Sequence, residues 1–274
     1  MKRKLGTQIL SLLALVMLFY LLIMVAMVIF QMKGVEQWRM LMAMSALQNI
    51  GMFIIPAVIV ARIFNAGKAM RVMQINRCPN VMQIAMVLLI YVASAPMMNG
   101  IVLWNEGWQL PEWLSWLREM EDAAMAATEQ MLAITSVGRL VIAILLVGVL
   151  TGIGEEFFFR GSLQRLLLEQ NMNRHAAIWI TAFIFSVVHM QAFGVVPRML
   201  LGAYFGYLAV WSGSLWLPIL AHALNNSVAV AAYYDKSIET MPWIGTEPTT
   251  LTFVISSAAT AVLIFVFAKF LRKA

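Results

Sequence analysis

Glu155, Glu156 and Arg160 stand in the run Thr151-Gly-Ile-Gly-Glu-Glu-Phe-Phe-Phe-Arg160, where a long apolar stretch ends. Ionisable groups at membrane depth cost about 2.5–3.5 kcal/mol each on insertion scales, so those that persist face a bundle interior and serve function. Glu156 and Arg160 are four residues apart with the acid first, the favourable order for an ion pair on one helix face. Glu155 is turned about 100° from Glu156. The same arginine therefore cannot serve both, and one carboxylate is left over as a candidate general base. Two later apolar runs add the pairs Phe185/His189 and His222/Asn226, each four apart and so pointing the same way from its helix. Alone, such a histidine reads as a packed, hydrogen-bonded residue and such an asparagine as interhelical glue. Three helices each carrying buried polarity read instead as one assembled site. His175, beside Arg174 in a polar turn, reads as surface.

The elements that must position these groups are membrane helices. Hydrophobic residues make up 62% of the 274-residue chain and charged ones 12%, and the mean hydropathy is +0.83, far from the make-up of a soluble domain. Apolar runs fall at about 8–30, 41–61, 81–103, 137–156, 175–194, 199–213, 215–234 and 250–269, which predicts an all-α polytopic bundle of about eight transmembrane helices around a buried polar cavity. Seven spans or a re-entrant hairpin around Ser212-Gly-Ser214 is the variant of that count. No linker or repeat divides the chain, so residues 1–274 read as one integral-membrane domain with a core at 150–230. Pro56 and Pro96 are expected to kink their helices, and Gln48 and Asn49 to hydrogen-bond to a neighbour. Trp104, Trp108, Trp113 and Trp116, followed by alternating acidic and apolar residues, predict a helix lying in the outer interface.

The single cysteine, Cys78, excludes an intrachain disulfide and a cysteine-based zinc site. The net charge of +6 is spread beside alternate ends of the apolar runs rather than gathered in a stripe, which argues against nucleic acid as a partner. Segments on the side of Met1-Lys-Arg-Lys4 hold 13 of the 19 basic residues, and the opposite side holds ten of the 13 acids. Both termini are therefore expected in the cytoplasm, in a bacterial plasma membrane. The chain has no His-Glu-x-x-His, Gly-x-Ser-x-Gly or phosphate-cradling Gly-Lys-Ser/Thr motif. A site here must be assembled from distant segments.

In order, Glu155-Glu156-x-x-x-Arg160, Phe185-x-x-x-His189 and His222-x-x-x-Asn226 resemble the three motifs of the CPBP family, the CAAX prenyl protease and bacteriocin-processing membrane proteins also called Abi. The resemblance covers roughly residues 150–230 and implies an intramembrane endopeptidase with a polar cavity open toward the cytoplasm. It implies that Glu155 and His189 activate a water, that His222 and Asn226 stabilise the oxyanion, and that Glu156 with Arg160 braces the site. The family is described as metal-dependent, and Glu155, His189 and His222 would be the ligands of a catalytic zinc; a metal-free, glutamate-activated water uses the same residues. The partners implied are a peptide or protein substrate and the lipid bilayer. A non-catalytic immunity or scaffold protein is the alternative within the family, and a proton-coupled transporter, against which the lack of an inverted repeat speaks, lies outside it. For the site to form, His189 must reach the depth of Glu155. This requires the fourth run to continue as an amphipathic helix below the bilayer through Leu163, Leu166 and Leu167.

Overall fold

A computed structural model describes residues 5–245 and 247–271, and the basic start Met1–Lys4 and the residues Arg272 and Lys273 lie outside them. Nine helices carry the architecture: α1 (Leu5–Met32), α2 (Gln37–Phe64), α3 (Val81–Glu106), α4 (Ser115–Met131), α5 (Val137–Glu169), α6 (Arg174–Val187), α7 (Val195–Ser212), α8 (Trp216–Tyr234) and α9 (Thr250–Leu271). No strand occurs among the described residues. In lipid a backbone must satisfy its own hydrogen bonds, and helices do so within one segment. α8 packs against α5, α7 and α3; α5 leans on α2, α6 on α7, and α9 on α3.

Each of the eight apolar runs became a helix, but six of the described helices are long and apolar enough to cross a membrane. They make the chain an integral membrane protein. α6, at 14 residues, is about 21 Å long and falls short of a ~30 Å hydrocarbon core. α8 has the length, with 19 residues, but His222, Asn225 and Asn226 dilute its apolar character. α5 is 33 residues long and continues past the end of the fourth run to Glu169, as the depth argument required. In that extension Leu166 and Leu167 are buried, so its apolar face packs inside the protein. The fifth run is cut short, because helical structure stops at Val187, Val188 and His189 form a turn, and Met190 after it takes φ +54°.

Backbone irregularities gather around the long helices. α2 widens into a π-helical turn at Gln48–Ile54, and α5 does so twice, at Ile144–Leu150 and Phe159–Gln164; such turns are uncommon and concentrate at functional sites. Pro96 interrupts α3, and its freed backbone groups find partners elsewhere. Trp243 Nε1 donates to Val92 O at 2.8 Å, Met97 N donates to Ser256 Oγ at 3.0 Å, and Ser256 Oγ donates to Ala93 O at 2.5 Å. Asn49 is buried and donates to Thr151 Oγ1 at 3.0 Å, whereas Gln48 is exposed. Trp104, Trp113 and Trp116 are exposed beside α4, as an interfacial aromatic group would be.

Candidate active site

Small residues let α5 and α8 approach. A Cβ added to Gly152 would stand 2.9 Å from Ala223 N, and one added to Gly148 would strike Ser227 Oγ. Gly148 and Gly152 thus meet Ala223 and Ser227 as two four-residue steps, the small-xxx-small contact that brings membrane helices together. On the other side of α5, a Cβ on Gly154 would lie 2.8 Å from Asn49 Oδ1. The close contact with α8 sets His222 against Glu155 and Glu156.

The centre is a buried ionic cluster. Glu156 Oε1 accepts from Arg160 Nη1 at 2.6 Å and from His222 Nδ1 at 2.8 Å, and the Glu156 and Arg160 side chains are both fully enclosed. Arg160 Nη2 donates to Gly202 O at 2.7 Å, and one turn further on Gln164 Nε2 donates to Gly206 O at 3.1 Å. α7 therefore presents two glycine carbonyls to two side chains of α5. His222 reaches across: its Nδ1 is committed to Glu156, and its Nε2 faces Glu155 Oε2 at 3.6 Å. One imidazole joins the two carboxylates.

Aromatic rings wall this cluster. Phe205 stacks on His222 at 4.8 Å with an interplanar angle of 19°, and Phe185 meets His222 edge-on at 5.8 Å. The Arg160 guanidinium lies 4.9 Å from the Phe185 ring centre and 5.5 Å from that of Phe205, within cation–π range of both. Phe185 also touches His189, at 5.2 Å. The four-residue relation of the second motif thus survives the end of α6, because His189 Nδ1 donates to Phe185 O at 2.8 Å. That bond leaves Nε2 of a neutral His189 as an acceptor.

Glu155, Glu156, Arg160 and His222 are thus drawn into direct contact, and His189 joins them through Phe185. Asn226 lies one turn beyond His222, partly exposed, with Asn225 Nδ2 donating to its Oδ1 at 3.4 Å. His175 is exposed and meets Tyr207 Oη through Nδ1 at 2.7 Å, outside the cluster. Glu155, His189 and His222 are donor types that suit zinc. Among the described residues, however, no three His, Cys, Asp or Glu side chains are grouped to hold a metal ion.

Several contributors were not apparent in the sequence. Glu121, counted as one of many outer acids, is buried and accepts from Phe193 N at 2.9 Å. Asn105 is fully buried, donates to Ala192 O and accepts from Val196 N. Together these two side chains clamp the loop that follows His189. Arg198, placed with the orienting outer charges, donates to Gln191 Oε1 at 2.6 Å in the same loop. The only sequence signal for these contacts was polarity beside an apolar run, which a surface residue shares.

A fully buried carboxylate–arginine pair, an imidazole linking it to a second carboxylate at the edge, and a second imidazole with a free acceptor nitrogen can polarise a water and deliver its proton elsewhere. Residues 137–228, about a third of the chain, match the family described as Rce1-like: Type II CAAX prenyl endopeptidase Rce1-like. No curated protein and no solved structure matches the chain.

Proposed function

We propose, taking the Rce1-like match over residues 137–228 as the premise, that this membrane protein is an intramembrane endopeptidase of the CAAX-processing kind. The observation that carries the reading is His222 held between Glu156 and Glu155 inside the matched segment. Glu155, with His189, takes a proton from a water as its oxygen attacks the scissile carbonyl carbon. Glu155 then returns that proton to the leaving amine as the peptide bond breaks. Asn226 donates to the developing oxyanion, and His222, whose Nδ1–H is held by Glu156, joins it when Nε2 also carries a hydrogen; fixed donors in a water-poor pocket act most strongly there. Glu156 and Arg160 hold His222 in register. The substrate is a peptide or protein that reaches the site at the membrane, and a prenylated cysteine near its C terminus is the class the family name points to.

The test compares the wild type with Glu155→Gln, both in nanodiscs, on a farnesylated CAAX peptide and its unfarnesylated twin. Cleavage by the wild type and none by a correctly folded variant is the expected result. Equal cleavage by both ends the mechanism, and undisturbed biological function of the variant favours a non-catalytic immunity or scaffold role. Zinc held by Glu155, His189 and His222 is the competing scheme. Metal analysis of active protein, with chelation and add-back, separates the two: full activity without bound metal removes zinc, and activity lost and restored with the ion removes the metal-free route.

The excess of Lys and Arg supports both termini on the cytoplasmic side of a bacterial plasma membrane. Cys78, exposed and the sole cysteine, is a ready reporter. An impermeant thiol reagent should label it in inverted vesicles but not in intact cells, and the opposite pattern would invert the orientation.

A further inference from the structure

α4 lies outside residues 137–228, yet it reaches the loop that carries His189. On α4 the side chains that turn inward are Leu117, Glu121, Ala124 and Thr128, at helical three- and four-residue steps, whereas Glu119, Asp122 and Glu129 are exposed. Glu121 is thus the buried acid of an otherwise uncharged stripe, and burial of a carboxylate is tolerated where it is hydrogen-bonded. Its partner is Phe193: Glu121 Oε2 accepts from Phe193 N at 2.9 Å, and the Arg118 guanidinium, one turn earlier, stands 4.3 Å from the Phe193 ring centre.

The loop has little to hold it from within. Helical bonding ends at Val187, His189 N meets Ser186 O at 3.4 Å, and Met190 takes φ +54°, a conformation that persists where the surroundings enforce it. The side chains that fix the loop come from other helices. Asn105 of α3 donates to Ala192 O at 3.1 Å and accepts from Val196 N at 2.9 Å, Arg198 of α7 donates to Gln191 Oε1, and Glu121 is the contribution of α4. Phe185 O sets the orientation of the His189 ring, but these contacts set where the turn carrying it lies.

We propose that α4 is a positioning element of the active site, in which Glu121, by anchoring Phe193, holds His189 beside Phe185 and the His222 cluster. This rests on the role of His189 in activating water. Glu121 touches no reacting atom, so its effect passes through His189 alone.

The test is a double-mutant cycle in nanodiscs on the farnesylated CAAX peptide, paired with hydrogen exchange of the segments that hold His189 and His222. Glu121→Leu should lower kcat about tenfold to a hundredfold with KM little altered, the worth of one hydrogen bond to a charged group. Glu121→Gln keeps an acceptor oxygen and should stay within about fivefold of the wild type. Against a His189→Ala background the Glu121→Leu loss should vanish, because the two changes act on one group. Exchange in Glu121→Leu should quicken over residues 188–196 and not around His222. If Glu121→Leu does not fold, Arg118→Gln, at an exposed residue, decides: it should lower kcat about twofold to fivefold by removing the cation over Phe193, again only while His189 is present. An equal loss with and without His189, or no change in kcat, overturns the proposal. A wild type that cleaves nothing counts against the protease reading instead, and exchange then decides: quickening confined to 188–196 supports the anchoring of His189 by α4, and unaltered exchange overturns it.

Discussion

The two neighbouring glutamates are both buried but differ in how completely they are enclosed. Glu156 is sealed, with Arg160 and His222 sharing one of its oxygens and Phe185 and Phe205 covering the partners. Glu155, one residue earlier, lies at the edge with 11% of its side chain exposed and His222 at 3.6 Å. A carboxylate already committed to a buried cation is a poor proton acceptor but a good anchor, whereas one with an open side can meet a water. In the proposed mechanism this difference is what gives Glu156 the bracing role and Glu155 the chemical one.

Exchange experiments can break that contrast. Glu155→Gln should lower turnover by about 10²–10⁴, the usual worth of a general base, and leave unfolding in detergent almost unchanged. Glu156→Gln should act first on stability, costing about 3–5 kcal/mol by leaving Arg160 buried without its counter-charge, and lower turnover only as far as His222 loses its anchor. Denaturation curves and activity measured on the same preparations read both. If Glu155→Gln destabilises more than Glu156→Gln, the two roles are exchanged.

Asn226→Ala sharpens the comparison from the open side. Loss of one oxyanion donor should reduce kcat by about 10²–10³ with KM little altered, and an unchanged kcat would remove Asn226 from the reaction. Gly152→Val probes the contact beneath both glutamates. Its Cβ would meet the backbone of Ala223, which cannot yield without moving α8, so a loss of about 1–3 kcal/mol from overpacking is expected together with lower activity. Full stability would mean that α5 and α8 do not need to approach so closely.

Much of the site was readable because membrane burial makes polarity conspicuous. Glu155, Glu156, Arg160, His189, His222 and Asn226 stood out against apolar runs, and four-residue spacing told which of them share a face. The helices themselves were legible for the same reason. Less legible was where α6 ends: Phe185 and His189 keep their relation through a backbone carbonyl, not through a continued helix. Glu121 and Arg198 gave no sign of their contacts in the sequence, since nothing local distinguishes a charge facing water from one clamping a loop.

The sequence by itself therefore determined a helical membrane protein and which of its polar residues share a helix face. Both follow from local rules, hydropathy over a span and the 3.6-residue turn. Only the tertiary structure decided which carboxylate is locked and which is open. That choice depends on where Arg160 and His222 come to rest, and their places depend on glycine contacts and carbonyls from helices dozens of residues away in the chain.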